Sequence, residues 1–214
     1  MSLVQQIEKA LRELPFVVEP SVPLALERYL TLLIHWNKTY NLSGIRDPTK
    51  MISHHLLDSL SIVPYINGSH IVDVGSGAGL PGIPLASYFS NKHFTLVDGN
   101  GKKTRFLTQV KIELEFENIT VIHSRAESFD GKFDHVVCRA LAPLDSLAKS
   151  CAHLIGTGGT LIAMKAGGCE TLSEDSDLEI ISRLPLRVPL IDEERALVIT
   201  VSYTHLTLPT TPYV

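Results

Sequence analysis

Ile71-Val72-Asp73-Val74-Gly75-Ser76-Gly77-Ala78-Gly79-Leu80-Pro81-Gly82 is the stretch that decides the fold of this 214-residue chain. A short apolar run broken only by Asp73 leads directly into glycines at alternate positions. The pattern predicts a buried strand entering a tight loop, with a helix beginning near Gly79 or Leu80. Glycines there permit positive φ and leave the main chain bare for close approach by a ligand. The free N–H groups of the following helix favour an electron-rich or anionic group. A glycine-rich turn with no ligand is the bland alternative. Three spaced glycines, a carboxylate at the strand end and a helix beyond favour a nucleotide-like ligand.

The dinucleotide fingerprint places glycines at its first, third and sixth positions. Gly75 and Gly77 fit, but the sixth position is Leu80 and the extra glycine, Gly79, comes at the fifth. No Gly-Lys-Ser/Thr follows, so a Walker loop is absent. Asp73-x-Gly75-x-Gly77-x-Gly79 instead resembles motif I of the class I S-adenosylmethionine-dependent methyltransferases, where the loop lies under the methionine part of the cofactor. A second predicted strand, Phe94 to Asp98, ends in an acid nineteen residues past Gly79. A carboxylate there can accept both ribose hydroxyls of an adenosine-containing ligand. After the third strand comes Ser124-Arg125-Ala126-Glu127, where class I methyltransferases read adenine with a backbone amide and a side chain. Glu127 reads equally well as a helix-start acid.

The fourth strand ends in Cys138-Arg139-Ala140-Leu141-Ala142-Pro143. It lacks the Asn/Asp-Pro-Pro-aromatic run of amino-group methyltransferases. Cys138 also lacks the Pro-Cys or Thr-Cys setting of an activated nucleophile, and reads as a packing residue. Arg139, a planar cation at a strand end, suits phosphate, carboxylate or base recognition. Its alternative is an acid-paired or surface arginine.

Composition is that of an ordinary globular protein, 44% hydrophobic and 20% charged. Cys138, Cys151 and Cys169 have no Cys-x-x-Cys spacing, which argues against a disulfide framework or zinc ribbon. No secretory signal pattern opens the chain and no apolar run is long enough to span a bilayer, so a cytoplasmic protein without membrane partners is expected. The net charge of −4 is unevenly spread: Glu170 to Arg195 sums to −5 and the remainder to +1. Gly99 to Lys111 carries Lys102, Lys103, Arg105 and Lys111 with no acid, a stripe that can hold phosphate or be a solvated helix face.

Leu3, Ile7, Leu11 and Leu14 recur at helical spacing between Ser2 and Leu14, and Pro15 ends that helix. Pro20 to Pro23 open a second, which runs to Trp36. Asp47-Pro48 caps a third that reaches His54-His55-Leu56-Leu57-Asp58-Ser59. From His70 strands alternate with helices. Strands are predicted near 70–74, 94–98, 119–122, 134–138 and 159–164, and helices near 80–90, 101–115 and 144–155. Two further apolar runs, Ile180 to Val188 and Ala196 to Val201, predict an antiparallel pair at the sheet edge. The expected organisation is a helical cap over residues 1–66 packed on an α/β domain over 67–202. That domain is a Rossmann-like, mostly parallel seven-stranded sheet with helices on both faces. Residues 203–214, rich in threonine with no Lys, Arg, Asp or Glu, read as a loose or non-native tail.

The resemblance is closer than the superfamily. Trp36-Asn37-Lys38, Asn41-Leu42, Arg46-Asp47-Pro48, His55, Asp58-Ser59, Asp73 through Leu85, Gly101-Lys102-Lys103, Phe106-Leu107, Arg139-Ala140 and Glu194-Arg195 resemble the bacterial small-subunit (16S) ribosomal RNA guanine-N7 methyltransferase family, also called glucose-inhibited division protein B. The match covers roughly residues 1–200. His54, Ser43 and Lys165-Ala166-Gly167 depart from the usual pattern. The resemblance implies S-adenosylmethionine as methyl donor, S-adenosylhomocysteine as product, and cofactor contacts at Gly75, Leu80, Ala126, Glu127 and Arg139, beside Asp73, Gly77, Gly79 and Asp98. It implies RNA contacts at Lys102, Lys103, Arg105 and Arg139, with Asn41 shaping the entrance. A monomer acting on the small subunit or its precursor is expected.

Guanine N7 has a free lone pair and no proton to lose, so positioning can supply much of the rate and no general base is required. No catalytic residue is assigned beyond a positioning role for Arg139. The rivals are an NAD(P)-dependent Rossmann oxidoreductase, for which Tyr88 and Lys92 spell Tyr-x-x-x-Lys, and a non-catalytic cofactor- or RNA-binding module. His54, His55 and Asp58 are too few on one helix to make a metal site, and none is expected.

Overall fold

The computed structural model describes residues 1–139, 142–167 and 170–202. The threonine-rich tail, Ala140, Leu141, Gly168 and Cys169 lie outside the described residues. Seven strands form one sheet: β1 (His70–Val74), β2 (His93–Asp98), β3 (Ile119–His123), β4 (Phe133–Arg139), β5 (Ile155–Lys165), β6 (Leu178–Leu186) and β7 (Arg195–Ser202). Their order is β3-β2-β1-β4-β5-β7-β6. β1 to β5 run parallel, and β7 lies antiparallel between β5 and β6. The direction of order reverses at β1 and β4, the place where open α/β sheets bind ligands beyond their strand ends.

The helices are α1 (Leu3–Leu11), α2 (Val22–Tyr40), α3 (Pro48–Met51), α4 (Asp58–Leu60), α5 (Gly82–Tyr88), α6 (Gly101–Glu113) and α7 (Leu144–Cys151). A π-helical turn, Ile52–Leu57, joins α3 to α4. Local chemistry starts several of them. Ser2 and Gln5 form a capping box, the Asp47 carboxylate accepts from Thr49 N at 2.9 Å, and Asn100 Oδ1 accepts from Lys102 N at 2.9 Å.

Strand alternation sends side chains to two different cores. Ile71, Phe94, Leu96 and Val137 join the helical segment and α5 and α6. Val72, Val74, Val97, Val136 and Cys138 pack with Leu144, Leu147 and Cys151 of α7. Leu26, Leu30, Leu33, Leu56 and Leu60 of the N-terminal helices are fully buried in the same cluster as Ile83 and Phe106. The helical segment therefore shares a core with one face of the sheet. Trp36, read as core, packs its ring 5.6 Å from that of Phe106.

Of the boundaries that differ from the periodicity, two have a clear local cause. The helix expected from residue 80 starts at Gly82, because Gly79 N and Leu80 N both donate to the Ser76 carbonyl and close a turn first. β5 begins at Ile155 rather than 159, since Gly156, Gly158 and Gly159 carry no side chains to mark alternation. A Cβ on Gly159 would come within 2.7 Å of the Phe133 carbonyl oxygen, so glycine lets the two strands approach. Among the described residues no helix is long and apolar enough to cross a membrane.

Candidate functional site

β1 delivers Asp73, fully buried, beneath the glycine loop. Its Oδ2 accepts from Gly82 N at 2.9 Å, fixing the start of α5, while Oδ1 has no hydrogen-bond partner. Burial pushes this carboxyl up to about 7. Gly75, Gly77 and Gly79 have φ of 68°, 60° and 92°, a left-handed run that side chains rarely adopt. The glycines divide the work. Gly79 lies against Ile83 and Leu107, where a Cβ would clash, whereas nothing approaches the Cβ position of Gly77 closer than 3.8 Å. Leu80 is buried in the core, with its N–H taken by Ser76.

β2 ends one strand over at Asp98, also buried. Its Oδ2 accepts from Gly77 N at 2.9 Å and its Oδ1 from Asn100 N at 2.8 Å, so the acid shapes the loop opposite it. An ionised carboxylate offers about four acceptor positions, more than these two backbone bonds use. That cavity, about 400 Å³, is lined by Gly75, Asp98, Gly99, Lys103, Ala126, Glu127 and Ala142 among others. Ala126 and Glu127 form a 3-10 turn directly after β3. The structure thus brings Gly75, Asp98, Ala126 and Glu127 to one cavity, with Gly77 bound to its acid and Asp73 below.

Arg139 sits apart from that wall. Two residues beyond Val137, it emerges on the opposite face of the sheet, toward the helical segment. Its Nη1 donates to the His54 carbonyl at 2.7 Å and to Asp58 Oδ2 at 2.8 Å. Arg195, from the start of β7, brings Nε to 3.4 Å from Asp58 Oδ1. These groups line a second cavity of about 200 Å³ with His55, Met164 and Lys165. One contact links the walls of the two cavities: Lys165 Nζ, from the second, donates to the carbonyl of Ala142, from the first, and pairs with Glu170 at 2.9 Å. Residue-by-residue reading left Asp58, Arg195 and Lys165 without a site role. The signal for two of them was that Asp58 and Arg195 fall in the short stretches that carry the family resemblance.

The basic stripe divides on folding. Lys103 turns inward, its Nζ 3.6 Å from Asp98 Oδ2, while Lys102 and Arg105 stay exposed on α6. The spacing of Lys103 to Phe106, Leu107 and Val110, all buried, is the signal that separates it from its neighbours. Asn41 is the left-handed cap of α2, exposed, with Oδ1 accepting from Arg46 at 3.2 Å. Cys138 lies buried against α7, and burial pushes its thiol well up, which suits packing and not attack. Tyr88 and Lys92 do not assemble a reductase pair. The tyrosine hydroxyl donates to Val17 and the ammonium to Gly68, near the beginning of β1. His54, His55 and Asp58 hold hydrogen bonds and ion pairs, and no group of three or more metal-ligating side chains occurs among the described residues.

A bare left-handed loop, an acid opposite it and an unpartnered buried carboxylate oxygen fit a nucleoside with a cationic tail. The sequence profile described as GidB: rRNA small subunit methyltransferase G matches residues 24–198. A "Ribosomal RNA small subunit methyltransferase G" of Pseudomonas syringae pv. tomato is 44% identical over 199 residues, covering 91% of this chain and 94% of that protein. The protein of the same description from a Marinomonas species is 43% identical over 203 residues, covering 93% and 98%. In solved structures the fold is matched by a ribosomal protein L11 methylase of Lactobacillus delbrueckii subsp. bulgaricus, with TM-score 0.50 and 16% identity over 68% of this chain and 76% of that one. Asp73, the glycine loop and Asp98 lie within the profile match, and the chain belongs to the small-subunit ribosomal RNA methyltransferase G, or GidB, family.

Proposed function

We propose that this enzyme methylates N7 of a guanine in 16S ribosomal RNA with S-adenosylmethionine, working as a cytoplasmic monomer on the small ribosomal subunit or its precursor. The observation that carries the reading is the junction of the Gly75–Gly79 loop and Asp98 in one cavity at the sheet's switch point, in a chain of this family. When bound, the cofactor supplies an electrophilic methyl group on a sulfonium. Asp98 would accept the ribose hydroxyls, and Ala126 and Glu127 would hold the adenine. Gly75 and Gly77 would offer bare main chain to the amino-acid end, and the buried Asp73 holds the end of the loop through Gly82 N. Leu80 contributes through the turn it closes.

Guanine N7 needs no deprotonation, so the chain's task is to desolvate and orient the base. Arg139, anchored on Asp58, holds the acceptor side of the site. Lys102 and Arg105, exposed on α6, would meet RNA phosphates, Lys103 pairs with Asp98 beside them, and Asn41 stands at the end of α2 on the helical side. The test is tritiated methyl transfer from S-adenosylmethionine to small subunits from cells lacking this protein, with nucleoside analysis of the product. Label in 7-methylguanosine is expected. Label on adenine N6 or on protein overturns the proposal.

A further inference from the structure

We infer that Asp58 reads the Watson–Crick edge of the target guanine, and that the cavity between the helical segment and the ends of β4 and β7 receives the flipped-out base. The inference rests on the guanine reading above and names the residue that makes the choice. The cavity, about 200 Å³, is below the roughly 300–1,000 Å³ usual for small-molecule pockets. It suits one flat ring system better than a whole nucleotide. Ile45 and Met164 supply apolar wall, and its neighbour across the Lys165–Ala142 contact is the adenosine cavity.

Asp58 is the polar centre. Its side chain is only 7% exposed, and Arg139 occupies Oδ2. Oδ1 has Arg195 at ion-pair distance but no hydrogen bond. A buried carboxylate oxygen with spare acceptor capacity is uncommon and calls for a partner. The chain delivers this residue from an unusual element. The π-helical turn Ile52–Leu57 ends at Asp58 and turns the His54 carbonyl toward Arg139. Such turns occur frequently at functional sites.

The donor and acceptor order fits guanine. Its N1–H and N2–H are adjacent donors that a carboxylate can accept, and its O6 beside them accepts from a guanidinium. Asp58 flanked by Arg139 and Arg195 offers that sequence of groups. N7, on the other edge, is left with its lone pair free for methylation. Adenine would turn the lone pair of N1 toward the buried carboxylate, an unpaired arrangement that such sites reject strongly. Extrusion from the RNA stack gives the base access.

The experiment compares RNA carrying guanine with RNA carrying inosine, which lacks only the N2 amino group, at the mapped methylation position in reassembled subunits. Wild-type kcat/KM is expected to fall about tenfold or more on inosine. Asp58→Asn is expected to lose about a hundredfold on guanine RNA with little further loss on inosine. Its affinity for S-adenosylmethionine, by calorimetry, should stay within about threefold of wild type. Equal wild-type rates on guanine and inosine overturn the inference. So does an Asp58→Asn loss that is the same on both RNAs, because Asp58 would then only hold the arginines. If Asp58→Asn does not fold, the wild-type arm still decides. No N7 methylation of guanine RNA by wild type would remove the proposed function itself, a result distinct from loss of base discrimination.

Discussion

The hydroxyl of Tyr29 in α2 donates to the carbonyl of Ala78 in the glycine loop at 2.8 Å, tying the helical segment to that loop. Tyr29 is fully buried, and burial pushes its phenol far above the usual range, so it remains a donor. Tyr29→Phe leaves a buried carbonyl without its partner, at a cost of about 1–2 kcal/mol. The urea midpoint should fall with the slope unchanged. Affinity for S-adenosylmethionine should weaken several-fold as the loop loosens. An unaltered midpoint would show the bond to be dispensable.

Asp98 shapes the loop by accepting from Gly77 N and Asn100 N, and it lines the cavity where it is proposed to meet the ribose. Asp98→Ala should weaken S-adenosylmethionine binding by about tenfold to a hundredfold, roughly 1.4–2.7 kcal/mol. Isothermal calorimetry on protein with native circular dichroism measures this. Retained affinity would exclude the acid as a ribose partner.

Arg139 and Asp58 form a pair 81 residues apart in the chain, with both side chains largely withdrawn from water. Arg139→Ala therefore lowers both activity and stability, because Asp58 keeps only the looser Arg195 contact. Losing one partner of a buried pair costs about 3 kcal/mol. The double variant with Asp58→Asn should recover part of that loss. Strictly additive effects in the thermodynamic cycle would mean the two residues are uncoupled.

Lys102 and Arg105 are exposed, while Lys103 faces Asp98. Lys102→Ala with Arg105→Ala should weaken RNA binding and reduce the slope of log K against log salt by about 1.4–1.8, leaving cofactor affinity alone. Lys103→Ala should alter cofactor affinity as well. The prediction fails if the exposed pair leaves the salt slope untouched.

His55 is buried, with Nε2 at 2.8 Å from Ser43 Oγ, and burial and then the Arg139 charge pull its imidazole from 6.5 down to about 4. Between those values the unfolded chain binds more protons, so this residue's contribution to stability is complete above about pH 6.5 and is lost as pH falls toward 4. Its size is at most about 3 kcal/mol. Asp73, raised to about 7, works in the opposite direction over much of the same range. The clean measurement is the stability difference between wild type and His55→Gln, in which Asp73 cancels. That difference should shrink from pH 7 to pH 4, and a constant difference would refute it.

Much of the cavity beside the glycine loop was legible because its signals are local. Asp73, the alternating glycines and the acid ending the next strand are short-range consequences of a strand, a left-handed loop and a parallel neighbour. The near-continuous apolar runs Ile71, Val72, Val74 and Val136, Val137 marked strands buried on both faces. The start of β5 was hidden because three glycines carry no side chain to report a period. The division of Lys102, Lys103 and Arg105 was present in the spacing to Phe106 and Val110, yet it depended on which face of α6 meets the sheet.

From the sequence alone came the strand–loop–helix unit, the parallel α/β class and the acid at the end of β2, since each follows from patterning over a few residues. Only the tertiary structure decided that β7 enters between β5 and β6, and that Arg139 projects toward the helical segment while Arg195 arrives from the other side to meet Asp58. Local propensity carries no information about such contacts. They are set by how the helices and strands pack around a shared core, where a buried carboxylate needs cations that distant parts of the chain supply.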